Sequence, residues 1–252
     1  MPATSCEVIR GVATITLDNP AKHNALTPDL LDSLGDHLSL VAADSTVRVV
    51  VLTHSGPTFC AGANLGDTQA RPRFDLVAVL RLIQEMEKPV VARIAGRCLG
   101  GGVGLAAVCD ISIAAKDARF AFSEVRLGVA PAIISVVCLP KMRRSDAALL
   151  FFSGEQFDAT RAAEVGLINR SVEVGELDLA VTELVERLLL GGPGAMAAVK
   201  RILVSVPAMD RSDAYEWTRS LSEDLFASAE AASGIAAFRE RRPAPWVPSA
   251  EG

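Results

Sequence analysis

The chain has 252 residues, of which 50% are hydrophobic and 22% charged. That excludes a disordered polymer and suffices for one substantial core, or one core with an appendage. The formal net charge of -5 leaves no global positive field for non-specific capture of nucleic acid, although a few local cations suffice to hold one phosphorylated small molecule. No apolar run reaches the roughly 18 residues of a spanning helix, so no membrane association is expected.

Aromatic residues make up only 5%, so the core must be built from Ala, Val, Leu and Ile. Met1–Glu7 has no basic stretch leading into an apolar one, so no secretory signal is expected. The five cysteines (Cys6, Cys60, Cys98, Cys109, Cys138) are odd in number and form no CxxC. Free thiols in a reducing cytoplasm are the simplest expectation. No metal is expected, because none of the three histidines (His23, His37, His54) is spaced with a cysteine as a zinc site requires.

Residues 7–17 alternate and read as a hairpin with Arg10-Gly11 near its turn. Thr27-Pro28-Asp29 is a helix start, with Thr27 as N-cap and Pro28 at the first helical position. The helix should run to about Ala43 with Leu30, Leu31, Leu34, Leu38 and Val41 on one face. Val47–Thr53 reads as a buried strand that leads directly into a small-residue turn, and the polar stretch Gln69–Asp75 as a mobile loop. Leu76–Met86 returns to helical spacing, and Pro89–Ile94 is a second buried strand before a second turn. Val103–Val108 reads as a short helix, and Asp110–Ala114 and Arg119–Phe122 as further strands. Nearly all-apolar strands alternating with helices indicate a layered α/β core.

Beyond about residue 142 the pattern is mostly helical. Asp158–Glu164 opens a helix that Gly166 closes, and Leu167–Val172 reads as one more strand. Gly191-Gly192-Pro193-Gly194 is the clearest internal boundary, followed by two or three amphipathic helices and no strand. A strandless tail of that size buries little alone and should pack on the core or on a neighbouring subunit. No low-complexity segment and no clear short-period repeat stands out.

Chemistry concentrates in three places. The turns are Phe59-Cys60-Ala61-Gly62-Ala63-Asn64-Leu65 and Leu99-Gly100-Gly101-Gly102-Val103-Gly104, and the third is Phe122-Ser123-Glu124-Val125-Arg126-Leu127-Gly128. Small residues after a strand leave backbone N–H groups bare, and two bare N–H groups aimed at one point can hold an oxygen that becomes negative during a reaction. A nearby carboxylate can then move a proton on the adjacent carbon. Taken singly, either turn is equally well a tight turn with close packing, and Glu124 a surface charge or a partner for Arg126. Neither turn fits the dinucleotide fingerprint or a phosphate loop.

Together, over nearly the whole chain, the motifs resemble the crotonase, or enoyl-CoA hydratase/isomerase, family. Asn19-Pro20-Ala21-Lys22-His23-Asn24-Ala25-Leu26 is similar to its first CoA-contacting segment. The two turns are similar to its oxyanion-hole segments, and Ser123–Pro131 to the segment carrying a catalytic glutamate. The resemblance implies a spiral of ββα units with a C-terminal helical trimerisation region. Residues 1–190 would form the spiral α/β core with the acyl-CoA site, and 191–252 the helical region for oligomerisation and CoA contacts. It implies that Ala63 and Gly101 bind the thioester oxygen through their N–H groups and that Glu124 carries the proton. It also implies that Lys22, Ala25, Ala61, Leu65 and Gly100 contact the acyl-CoA, with Phe238 and Arg241 meeting adenine and phosphate, often from a neighbouring subunit. No metal or other cofactor is implied, since CoA arrives with the substrate. A soluble homotrimer or homohexamer is expected.

One departure matters. Family hydratases commonly carry a second glutamate three residues after the middle glycine of the triplet, and here that residue is Gly104. Asp67, the nearest acid after the first turn, reads as a solvated loop charge before it reads as a substitute. Three functions stay open at this point. The first is hydration of a 2-enoyl-CoA, and the second 3-enoyl to 2-enoyl isomerisation by Glu124 alone. The third is an acyl-CoA-binding protein with little activity, which Gly104→Glu would activate. The acyl pocket wall is expected from residues 65–85 and 130–140.

Overall fold

The computed structural model describes residues 3–64 and 71–248. At the start of the chain, β1 (Thr4–Ile9) and β2 (Val12–Leu17) form the expected hairpin. Its turn residues, Arg10 and Gly11, both take the left-handed conformation, at φ 49° and 79°. A two-residue turn of this hand matches the natural twist of the strands. Helix α1 (Pro28–Ala43) opens as its residues predict, with the Thr27 hydroxyl accepting the N–H of Leu30 at 3.3 Å. Its five predicted apolar residues are all buried.

From there a unit of two strands and a helix repeats: β3 (Val49–His54), β4 (Thr58–Cys60) and α2 (Leu76–Glu85), then β5 (Val90–Ile94), β6 (Arg97–Leu99) and α3 (Gly101–Val108). A third unit follows with β7 (Ile111–Ala115), β8 (Arg119–Ala121) and α4 (Ala132–Cys138). The first strand of each unit joins a six-stranded sheet, which β10 (Arg170–Val172) completes, in the order β1-β2-β3-β5-β7-β10. That sheet is parallel throughout except for the β1–β2 hairpin. The second strand of each unit joins a small sheet ordered β4-β6-β8-β9, where β9 is Gln156–Asp158. The unit is therefore a turn of a spiral. Strands β4, β6 and β9 were not anticipated, and the first glycine turn follows β4 rather than β3 directly. Of Leu167–Val172 only the last three residues pair as a strand, while Leu167 and Ile168 enter the core behind Gly166 at φ 84°.

The large sheet is covered on both faces, which is why its strands read as unbroken apolar runs. Val50, Leu52, Val90, Ala92 and Ile94 face the main core with α1, α2 and α3. Val49, Val51, Val91 and Ile113 face α7 (Leu177–Leu189) through Leu177, Val181 and Val185.

The remaining helices are α5 (Arg144–Ser153), α6 (Ala159–Glu164), α8 (Pro193–Ser205), α9 (Arg211–Phe226) and α10 (Ala229–Arg239). The Glu230 carboxylate caps α8 by accepting from the N–H groups of Gly194 and Ala195 at 2.9 and 3.0 Å. The Arg48 guanidinium donates to Trp246 O and Gly191 O, tying the tail to the start of β3.

The carboxyl ends of the first helices leave carbonyls without intrahelical donors. Lys88 Nζ donates to Val41 O and Ala42 O in the last turn of α1, and Lys200 Nζ to Ile83 O of α2 at 2.7 Å. Lys141 Nζ donates to Cys109 O just past α3 at 2.9 Å. A cation is also the charge that a helix carboxyl end favours. Lys200 is buried, and its ammonium pairs with Asp110 at 2.9 Å.

Candidate active site

The site forms past the carboxyl ends of β4, β6 and β8, against the segment that follows β2. Asn24 holds it together. Fully buried and left-handed at φ 50°, it accepts the Asn19 N–H on Oδ1 at 2.7 Å. Its amide donates to Ser55 O at 3.1 Å and Thr58 O at 2.7 Å. Asparagine tolerates this backbone conformation better than most residues. Residues 19–26 are thereby clipped to the turn between β3 and β4.

The first glycine turn lies against that segment. Ala61 N–H donates to His23 O at 3.1 Å and Leu26 N–H to Gly62 O at 2.8 Å, in a parallel bridge of Leu26 with Ala63. The residue opposite in such a bridge turns its own N–H away from the partner strand. Ala63 is exposed, while Ala25 and Ala61 are half-buried. Lys22 ends the short 3-10 turn Pro20–Lys22 and is exposed.

The second turn touches the first through backbone. Gly62 is left-handed at φ 83°, and a Cβ there would stand 2.8 Å from Leu99 O and 3.0 Å from Gly101 N. Gly101 is the first residue of α3, so its N–H has no intrahelical acceptor and sits at the positive end of the helix. A Cβ on Gly101 would lie 2.6 Å from Leu26 Cδ1. The structure thus brings Ala63 and Gly101 onto adjoining turns.

Glu124 completes the constellation. It stands on the 3-10 turn Ser123–Leu127, closed by Gly128 at φ 76°. Its carboxylate lies on Gly100, where a Cβ would meet Oε1 at 3.1 Å. Gly100 is itself left-handed at φ 50° and donates its N–H to Ala121 O at 2.9 Å. Glu124 Oε2 is buried and has no hydrogen-bond partner among the described residues. Burial raises the carboxyl above its ordinary range. Behind it, Phe122 is fully buried against Phe151, ring centroids 4.3 Å apart. An apolar cavity of about 520 Å³ opens behind the Glu124 turn, lined among others by Val125, Val129, Pro131, Met142 and Phe151. Of the expected pocket wall, Ala130, Pro131 and Leu139 line this cavity.

Gly104 is not an open place. A Cβ there would lie 2.3 Å from Ile134 Cγ2 and 2.9 Å from Ile134 Cβ. The acid is missing, and α4 has filled its space.

Other expectations fare differently. Leu65 and Asp67 lie outside the described residues. Arg71–Asp75, expected within a mobile loop, is anchored to α1 instead. Arg73 pairs with Asp36 at 2.6 Å, Phe74 N–H donates to Asp32 at 3.0 Å, and the Phe74 ring seats on Gly35. Phe238 and Arg241 lie at the end of α10 and just past it, joined by the Arg241 N–H to Phe238 O bond at 3.2 Å. Phe238 is 84% exposed at the end of α10, and the following segment is fastened through Trp246 to Arg48, at the amino end of β3. Among the described residues no group of three or more His, Cys, Asp or Glu is placed to hold a metal. Four cysteines are buried, and burial pushes the Cys60, Cys109 and Cys138 thiols up to about 12 and Cys98 well above its usual value. Sequence patterns did not single out Asn24 or Ile134. The left-handed preference of Asn was the one available signal for the former, and the latter had none.

A ββα spiral whose two glycine turns adjoin one desolvated carboxylate is the crotonase fold, as its structural neighbours show. The chain belongs to the enoyl-CoA hydratase/isomerase family, whose model matches residues 7–248. It is 32% identical to a crotonyl-CoA hydratase of Syntrophomonas wolfei, over 94% of each chain. It is 31% identical to a 2,3-dehydroadipyl-CoA hydratase of Escherichia coli K12, over 92% of this chain and 93% of that one. The crystal structure of an enoyl-CoA hydratase of Mycobacterium smegmatis superposes with TM-score 0.91 at 31% identity, over 98% of this chain and 99% of that one.

Proposed function

We propose that this family member adds water to a 2-enoyl-CoA, with Glu124 as its one acid–base residue. The observation that carries the reading is the Glu124 carboxylate, with one oxygen on Gly100 and the other buried and partnerless beside the two turns. The N–H groups of Ala63 and Gly101 hold the thioester oxygen as negative charge gathers on it, and losing one such donor typically costs about 10²–10³ in rate. Polarising the thioester makes its β-carbon electrophilic. Glu124 takes a proton from water as the hydroxyl bonds to the β-carbon. It then returns that proton to the α-carbon as the enolate collapses. A raised carboxyl pKa suits the return step. Lys22, Ala25, Ala61, Leu65 and Gly100 contact the CoA and pantetheine, and no cofactor is needed beyond the CoA that arrives with the substrate. Phe238 and Arg241 serve the CoA of a neighbouring subunit in a homotrimer or homohexamer. The relatives named as hydratases support this reading.

Ile134 packed on Gly104 favours a second reading. In it, Glu124 takes a proton from the α-carbon of a 3-enoyl-CoA and delivers it to the γ-carbon, with no water consumed. Mass spectrometry of the products from a short 2-enoyl-CoA and its 3-enoyl isomer separates the two. Gain of one water supports hydration, and conversion of the 3-enoyl compound without mass change supports isomerisation. Glu124→Gln should lower either turnover by about 10²–10⁴ with acyl-CoA binding kept, and unchanged turnover refutes both. Binding without turnover of either substrate would make the chain an acyl-CoA-binding protein.

A further inference from the structure

We infer that Ile134 is a reaction-determining residue: from α4 it occupies the place on α3 that a second acid would need, and so confines the chemistry to one carboxylate. This rests on the reading of Glu124 given above. Gly100 caps the start of α3, and Gly104 lies four residues further on, within its first turns. At Gly100 the space for a Cβ is taken by Glu124 Oε1, and at Gly104 by the Ile134 side chain. Both places are therefore filled, one by a carboxylate and the other by a branched hydrocarbon that is 2% exposed.

Cys138 lies one turn after Ile134 on α4. It is buried, and the Glu124 charge acts on its thiol. Ile134 and Cys138 lie on one face of α4, and an alkyl group and a thiol give a carboxylate no strong donor. A wall of this chemistry fits the partnerless Oε2. A second base that would activate water on this side has no room. Every proton taken from water must pass through Glu124, which also serves the α-carbon. A site with one proton carrier partitions its substrate between water addition and proton transfer along the acyl chain, and Ile134 sets that partition.

The test uses Ile134→Ala, Gly104→Glu and the double variant, with two readouts. Exchange of the α-protons of a saturated acyl-CoA in D₂O reports the enolate step without any water addition. The ratio of hydrated to isomerised enoyl-CoA reports the partition. Gly104→Glu alone should lose both activities, because its side chain meets Ile134. The double variant should recover exchange and raise the ratio by about tenfold or more over the unmodified protein. A double variant that exchanges protons with an unchanged ratio overturns the inference, as does a single Gly104→Glu that is as active as the double. Should the double variant fail to fold, Ile134→Ala decides. Room for water at Oε2 should move the acid limb of the exchange pH profile down by about one unit, and an unmoved limb overturns the inference. An unmodified protein that exchanges no α-proton sinks the Glu124 reading itself, and this inference with it.

Discussion

The two glycine turns resemble each other in sequence but are held by opposite means. The first is fixed by hydrogen bonds from residues 19–26: Asn24 grips the β3–β4 turn, and His23 O and Leu26 N–H bond the turn itself. The second has one such bond, Gly100 N–H to Ala121 O, and is otherwise fixed by close packing, with Gly101 against Leu26, Gly102 against Cys60 and Gly104 against Ile134. One donor of the proposed oxyanion site hangs on a polar staple and the other on a fit of surfaces. The two should therefore fail under different perturbations.

The largest effect should come from the packed turn. A Cβ on Gly102 would lie 2.4 Å from Cys60 O, a backbone atom in a fully buried strand that cannot swing aside. Gly102→Ala should cost about 3 kcal/mol in denaturant unfolding, and a loss below about 0.5 kcal/mol would show that packing does not hold the second turn.

Asn24→Ala attacks the staple. It leaves Asn19 N–H, Ser55 O and Thr58 O without their partner, at a cost of about 1–3 kcal/mol. It should also lower kcat/KM by loosening Ala63. Full activity at reduced stability would separate the staple from the site.

The smallest effect is in pH. His54 Nε2 accepts the Ala95 N–H at 3.0 Å while Nδ1 is buried without a partner, so the ring is held neutral and its pKa is lowered, mainly by burial. Such a group contributes stability above the unfolded histidine value of about 6.5, and that stability is lost as pH falls through the lowered folded value. His54 ends β3 beside Ser55, so acid should loosen the stapled turn first. Glu124 has the opposite sign. Its raised carboxyl contributes stability below the unfolded value, and that contribution disappears as pH rises through the folded one. Melting temperature against pH should lose its acid slope in His54→Gln and its alkaline penalty in Glu124→Gln. Identical slopes in both variants would contradict the contrast.

The frame was legible where chemistry is local. The Thr27-Pro28-Asp29 start, the apolar runs of the large sheet and the Arg10-Gly11 turn each carry their own signal, and each formed where expected. The motif residues Ala63, Gly101 and Glu124 were visible as well. What stayed hidden depends on distant partners. Strands β4, β6 and β9 are three residues each, too short for any alternation to show. Gly104 announced a missing acid, but nothing near it announced Ile134, thirty positions on. Arg73 and Phe74 looked like loop residues because their anchors, Asp36 and Gly35, stand on another helix.

The three lysines at the helix ends carry a further consequence. Lys88 closes α1, Lys141 the end of α3 and Lys200 α2, so each helix is finished by a residue that lies later in the chain. No early helix is complete when its own last residue leaves the ribosome. A chain stopped short of Lys200 would also leave the Asp110 carboxylate without its ion pair, holding only the Val90 N–H. Melting of α8 is thereby coupled to melting of the units in front of it, and the spiral should unfold as one cooperative body rather than repeat by repeat.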